Sequence, residues 1–337
     1  MDPNPDPTPD GNPDAPPDGN PEVDRQLVAL ARSAELTPAL LWRLLRHPEA
    51  RREAARVRPD LTEDMAAEII AWGSARSLAI NAGLPPAVRR RLAADPQEAV
   101  RAALAAAAPD DPPGLLAGLA ADPSAFVRRF LASNGSLPPP VLARLAGDPE
   151  PEVRAEIAAW QPDAPQEIRV ALLTDPEAAV RSRACRAYAP PAPLLPALLA
   201  DPRTRREVVR HLELAPDLAG RLAGDPDKHV RAELARRHPD LPRPLLDALA
   251  TDPEPAVRAA IAGRRETPPA VRRSIEADLR AGVDRFLADP AGASAEDRAR
   301  YAASFGLHGC PPPRPPDPVP PQPSRAEVEA LLTRAGL

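Results

Sequence analysis

The sequence predicts an all-α protein: an α-solenoid of about ten two-helix repeats of about 26 residues each, between disordered tails. Three observations carry this expectation. Asp-Pro pairs begin at Asp95, Asp122, Asp148, Asp175, Asp201, Asp225 and Asp252, spaced by 27, 26, 27, 26, 24 and 27 residues. Apolar slots recur at helical spacing around each Asp. Prolines, 50 of 337 residues, fall between the apolar runs rather than within them.

In chain order, residues 1–24 come first. They alternate proline, aspartate, asparagine and glycine, carry seven acids and no base, and hold nothing able to anchor a core. Such a segment predicts a disordered, self-repelling tail. Residues 25–306 form the repeat array, and 307–323 a proline-rich linker with nine prolines in its last thirteen positions, which favours an extended polyproline spacer. Residues 324–337 read as a short amphipathic helix, with Ser324 and Glu327 at capping-box spacing and Val328, Leu331 and Leu332 on one apolar stripe.

Within the array each repeat justifies two helices. Leu92, Leu119, Leu145, Leu172, Leu198, Leu222 and Leu249 stand three residues before the Asp. Val88, Leu115, Val141, Ile168, Leu194, Leu218 and Leu245 stand seven before it, so the two slots share one face of a first helix. Val100, Val127, Val153, Val180, Val230 and Val257 follow by five, and Leu104, Leu131, Ile157, Ala184, Leu234 and Ile261 by nine, which makes the face of a second. The repeat at Asp201 breaks register, and a one-residue deletion would align Arg206 and Val208. Degenerate copies lie near His47-Pro48 and Ile69-Ile70, and a last copy near Asp278 has Val271, Ile275, Val283 and Leu287 in place. The segment 294–305 carries a capping pattern and two aromatics suited to closing the end of the array.

The prolines act as punctuation. Pro85, Pro112, Pro138, Pro165, Pro191 and Pro242, ten before each Asp, are expected in the first turn of the first helix, where the missing N–H costs nothing. Each Asp-Pro pair is expected to open the second helix, Asp capping and Pro starting. Helices this short are marginal alone, so stability must come from stacking neighbours. The compressed unit leaves room for one helix of 3₁₀ character.

At this point "VRRFLASNGSLPPPVLARLAGDPEPEVRAEIA", with its D-P…V-R…A…N…P-P…L…L pattern, resembles the leucine-rich repeat variant family of bacterial solenoids. The resemblance covers about 240 residues and is weakest before residue 80 and around 201–212. It implies a unit of one α-helix and one shorter 3₁₀-type helix, stacked into a right-handed superhelix. One member of that family carries a cysteine-bound iron–sulfur cluster in an N-terminal segment. No cysteine precedes Cys185 here, so no such cofactor is expected.

Composition narrows function by exclusion. The net charge of −5 is placed mainly in the tail; outside residues 1–24, 41 acids face 43 bases, which argues against nucleic acid as partner. Two cysteines fit a reducing, cytoplasmic setting. No apolar run suits a membrane span and no signal segment is visible. The alanine, arginine and proline bias fits a GC-rich bacterial coding sequence. No nucleotide-binding loop, hydrolase elbow or metal-ligand cluster stands in the chain, so no enzyme activity, cofactor, metal or small-molecule substrate is expected. Cys185 occupies a slot held elsewhere by alanine and reads as core; His308 and Cys310 lack companion ligands.

The Asp/Arg pairs Asp95 with Arg101, Asp122 with Arg128, Asp148 with Arg154, Asp175 with Arg181, Asp225 with Arg231 and Asp252 with Arg258 predict a structural ladder. Trp42, Trp72 and Trp160 are expected to be partly buried packing, and the basic run 88–92 a solvated face. The leading expectation is a non-enzymatic scaffold that binds an unidentified protein or peptide; the alternative is a nucleic-acid-binding HEAT-like solenoid, with base-excision chemistry. The candidate partner-binding residues are the polar slot fourteen before each Asp, Asn81, Asn134, Gln161, His211 and His238, and the C-terminal stripe Val328, Leu331 and Leu332. The competing reading of the slot is helix capping and loop satisfaction.

Overall fold

Prolines and Asx turns cut the chain into short helices, and no strand occurs among the described residues. The structure, a computed structural model, describes residues 21–107, 114–211, 216–238, 240–304 and 323–337. The expected tail up to residue 20 and linker up to residue 322 lie outside the described residues, as do Pro112, Phe305, His308 and Cys310. Residues 21–24, expected in the tail, instead open the first helix, with Glu22 and Asp24 in its first turn, where carboxylates meet the positive helix end.

Two compact units are present, one drawn from Met1–Gln161 and Asp317–Leu337, the other from Pro162–Pro316. The first contains α1 (Pro21–Leu30), α2 (Pro38–Leu44), α3 (Pro48–Val57), α4 (Glu63–Ala71), α5 (Ala75–Ala79) and α6 (Pro86–Ala93). It continues with α7 (Glu98–Ala107), α8 (Leu115–Leu119), α9 (Ala125–Ala132), α10 (Pro139–Ala146) and α11 (Pro151–Trp160). The second contains α12 (Gln166–Leu173), α13 (Ala178–Ala187), α14 (Leu195–Ala200), α15 (Pro202–Val209) and α16 (Pro216–Ala223). It ends with α17 (Lys228–Arg237), α18 (Arg243–Ala250), α19 (Pro255–Ala262), α20 (Pro269–Ala288) and α21 (Ala295–Ser304). The last helix, α22 (Arg325–Arg334), belongs to the first unit.

Within each unit, every second helix packs on the next of its kind. In the first unit α1, α3, α5, α7, α9 and α11 touch in series, and α4, α6, α8 and α10 form a looser parallel series. In the second unit α13, α15, α17, α19 and α21 do the same. The slots expected in the core are there: the leucines three before each Asp are at most 4% exposed, and the valines five after it at most 2%. Each such side chain contributes roughly 1.5–3 kcal/mol by leaving water.

The prolines sit one position earlier than expected. Pro85, Pro138, Pro165, Pro191 and Pro242 are N-caps, as is Pro268, with φ between −66° and −51°. The ring presets the entry angle and the next residue starts the helix. The expected 3₁₀ helix is confined, among the described residues, to Ala192–Leu194, which runs into α14; elsewhere the first helices are α-helical. The cause is local. Pro196 has no N–H to give the carbonyl of Ala192, and the turn tightens so that Leu194 donates to Pro191 at 2.9 Å.

Two further expectations are corrected. The unit at Asp201 is short by two residues, not one: α15 starts at Pro202, directly after Asp201. Thr204, Val208 and Val209 then fill the buried slots, all fully buried, and Arg205 rather than Arg206 takes the ladder position. Near Asp278 no break occurs, because leucine instead of proline follows it. α20 runs uninterrupted for 20 residues, with Leu287 59% exposed. α21 packs against α20 and α19, Ser294 Oγ accepts the Asp297 N–H at 3.0 Å, and Tyr301 stacks on Phe286 with ring centroids 4.3 Å apart.

Candidate functional site

The Asp/Arg pairs do form a ladder within each unit, but there an Arg binds the carboxylate of the next Asp along the chain. Arg101 donates through Nε to Asp122 Oδ2 at 2.7 Å and through Nη2 to Oδ1 at 3.0 Å, and Arg128 reaches Asp148 at the same two distances. In the second unit the pairs are Arg181–Asp201, Arg205–Asp225, Arg231–Asp252 and Arg258–Asp278. The Asp six residues back supplies only its carbonyl, which accepts Nη1 of Arg101, Arg128, Arg154, Arg181, Arg231 and Arg258. The expected helix-capping by Asp holds only at Asp201. Elsewhere the carboxylate accepts the N–H two residues on, as Asp122 does from Ser124 at 2.9 Å, and that residue is the cap.

These contacts act on the carboxyls of Asp122 and Asp201. Burial alone would raise Asp122, but the Arg101 hydrogen bond, the Ser124 N–H and the charges of Arg101 and Arg128 outweigh it and hold the carboxyl below its ordinary value. Asp201 is lowered chiefly by the Arg181 hydrogen bond and then by the Arg203 N–H. The ladder's guanidiniums and carboxylates are spent largely on one another, so it ties repeats together and leaves little to offer a ligand.

The polar slot fourteen before each Asp also faces inward. Asn81 donates from Nδ2 to the carbonyls of Ala55 and Arg58 at 2.8 and 2.7 Å, and Asn134 to Ala105 at 2.9 Å. Gln161 donates to Asn134 at 2.7 Å, and His238 Nε2 lies 2.7 Å from the Val209 carbonyl. Each occupies free carbonyls at the end of the preceding second helix, as helix ends require. Arg264 does the same for Ala235 and His238, a member of this row absent from the candidate residues. His211 is half-buried, and its Nε2 is buried without a hydrogen-bond partner.

Val328 and Leu332 are fully buried and Leu331 is 6% exposed, because α22 packs on α1 and α2 of the same chain. Arg43 secures it, donating Nε and Nη2 to the Leu337 main-chain oxygen at 3.0 and 2.6 Å and Nη2 to Thr333 Oγ1 at 3.3 Å. The capping box at Ser324 and Glu327 is formed. Within the run 88–92, Arg89 is buried rather than solvated, its Nη2 donating to the Ala82 carbonyl.

The second helices also carry a row of positions four, eight and eleven residues after each Asp, which runs from exposed at Phe126 and Glu152 to buried at Glu233 and Ala260. In the first unit it holds Phe126, Phe130 and Ser133 on α9, then Glu152, Glu156 and Ala159 on α11, with Trp160 beside them. Phe126 is 43% and Trp160 56% exposed, the latter more than its expected packing role. Phe126 and Phe130 lie ring to ring at 4.8 Å. Glu156 joins the two helices, 3.7 Å from Arg129, and accepts the Trp160 Nε1–H at 2.8 Å. Trp72, 37% exposed, lies under the Arg51 guanidinium at 5.1 Å, and Trp42 is half-buried.

In the second unit the same row is mostly charged on the first three second helices, with Arg183 and Arg186 on α13, Arg203, Glu207 and Arg210 on α15, and His229, Glu233 and Arg236 on α17, and is apolar on α19. The eighth position thus reads Ala103, Phe130, Glu156, Arg183, Glu207, Glu233 and Ala260, beside a ninth position that stays apolar. That contrast was the sequence signal for this face, hidden at Glu207 by the two missing residues. Among the described residues no three His, Cys, Asp or Glu side chains gather as metal ligands would, and no helix is long and apolar enough to cross a membrane. Neither a protein-family model nor a curated protein matches the chain.

Proposed function

We propose that this chain is a non-enzymatic, cytoplasmic α-solenoid scaffold of the leucine-rich-repeat-variant type, and that it binds a protein or peptide along the outward row of its second helices. One observation carries the reading: Phe126 and Trp160, in a chain with nine aromatic residues, are exposed on the outward faces of adjacent helices. Exposed aromatics of this kind anchor protein interfaces because they bury large area at small entropic cost. The repeat-to-repeat hydrogen bonds of the ladder support a stacked array, in which equivalent positions line up.

The second reading, nucleic-acid binding, draws on the arginines of the second unit. Glu207 and Glu233 within that row weigh against it, as does the want of an aromatic in it for base stacking. The test is affinity capture from native lysate with the chain and with Phe126→Ser combined with Trp160→Ala. The expected result is loss of the captured protein with an unchanged thermal midpoint. Capture that persists in the variant rejects this face.

A further inference from the structure

We propose that the arginines held by the buried carboxylates Glu207 and Glu233 form a site for the carboxylates of an acidic peptide segment. This rests on the outward row being the binding face, and it names the chemistry that the second unit reads there.

Glu207 and Glu233 are 3% and 1% exposed. A buried carboxylate costs several kcal/mol in desolvation unless it is fully paired. Stacking does not demand an acid at this position, since Arg183 and Ala260 occupy it in neighbouring repeats. The carboxylates instead organise four guanidiniums. Arg186 donates Nε and Nη2 to Glu207 at 3.3 and 3.1 Å. Arg210 Nε lies 3.4 Å from Glu207 and 3.1 Å from Glu233. Arg236 Nη1 and Arg237 Nε donate to Glu233 at 3.0 and 3.1 Å.

The side chains of Arg186, Arg236 and Arg237 remain 51%, 53% and 54% exposed. Each of these three guanidiniums has five N–H donors and gives one or two to the buried acids, so donors are left for a ligand. Four positive charges against two negative leave the cluster cationic. Fixed planar forks match carboxylates, which accept two parallel N–H bonds, and their rotamer entropy is already spent.

Beside the cluster lies a cavity of about 330 Å³ with Arg236 on its wall and Ala256, Ala259, Ala260, Ala302 and Ala303 around it. No acid and no aromatic lines it. A carboxylate on Arg236 would therefore bring a neighbouring small aliphatic side chain onto alanine. That combination describes an acidic peptide with interspersed aliphatic residues better than a nucleic acid, whose bases would find no ring to stack on.

The experiment is fluorescence anisotropy on the full chain with a labelled peptide of alternating glutamate and alanine, with inorganic phosphate and a single-stranded oligonucleotide as rival ligands. Saturable peptide binding is expected, weakened about tenfold by Arg236→Lys with Arg237→Lys, because lysine keeps the charge and loses the fork. Glu233→Gln is also expected to weaken binding although it makes the cluster more positive. Arg90→Lys with Arg91→Lys, the same exchange at exposed positions on α6, is expected to leave binding intact. Equal or tighter binding by the Arg-to-Lys variant overturns the site, as does an oligonucleotide or phosphate that binds as tightly as the peptide. Should Glu233→Gln fail to fold, the exposed Arg-to-Lys pair decides. Absent peptide binding while Phe126→Ser with Trp160→Ala still loses its lysate partner overturns the arginine site alone.

Discussion

Arg128 spans two repeats: its Nη1 holds the Asp122 carbonyl at 2.8 Å while its Nε and Nη2 hold the Asp148 carboxylate at 2.7 and 3.0 Å. The same side chain thus closes the turn before its own helix and fixes the next repeat upon it. Both partners are nearly buried, at 12% and 4% side-chain exposure. In that setting the pair is cooperative: one partner without the other is worse than neither.

Asp148→Ala is therefore expected to cost about 3 kcal/mol, since it strands a buried guanidinium. Arg128→Met with Asp148→Leu should recover most of that loss. A double-mutant cycle by urea unfolding measures the coupling, and additive single effects would refute the ladder as a coupled device.

The ladder also predicts an acid limit. Asp122, Asp201 and Asp278 all have lowered carboxyl pKa values in the fold. At Asp278 burial opposes the shift and the hydrogen bonds from Arg258 and Arg300 overcome it. A depressed folded pKa stabilises fully above the unfolded value of about 3.9 and is lost as pH falls through the folded value. The urea midpoint should stay level from neutrality to about pH 5 and fall below about pH 4, with a shallower fall in Asp122→Asn.

Removing the apolar seat of α22 should loosen α1 and α2. Leu332→Ala is expected to cost about 2–4 kcal/mol by leaving a cavity at a fully buried position. Hydrogen exchange should rise in α1, α2 and α22 together, and Arg43→Ala should give a milder form of the same pattern. Exchange confined to α22 would show that the helix does not cover its neighbours in solution.

Cys185 should resist alkylation. Burial pushes its thiol up to about 12, and the charge of Glu207 adds to this. In a Cys310→Ser background, a thiol reagent at pH 8 should label the protein only with denaturant present. Rapid labelling of the folded chain would mean that the α13 core opens on the experimental timescale.

Much of this fold was legible in local spacing. Apolar slots such as Leu145 and Val153 announce which side of a short helix is buried, and a proline such as Pro138 announces where the next helix begins, because both depend on neighbours within one or two turns. The Ser324–Glu327 capping box is of the same kind. Ladder partners were not legible that way. Arg128 stands six residues from Asp122 and twenty from Asp148, and sequence proximity favours the wrong carboxylate. Charges bind whatever the stacking brings within about 3 Å, and that offset is set by packing, not spacing. The same holds for Asn134, whose amide finds a carbonyl 29 residues back, and for Arg43, which meets Leu337 across 294 residues. Position eight after each Asp repeats visibly in the sequence. Only packing decides whether it stays half-buried, as at Phe126's neighbour Phe130, or is buried beneath arginines, as at Glu233.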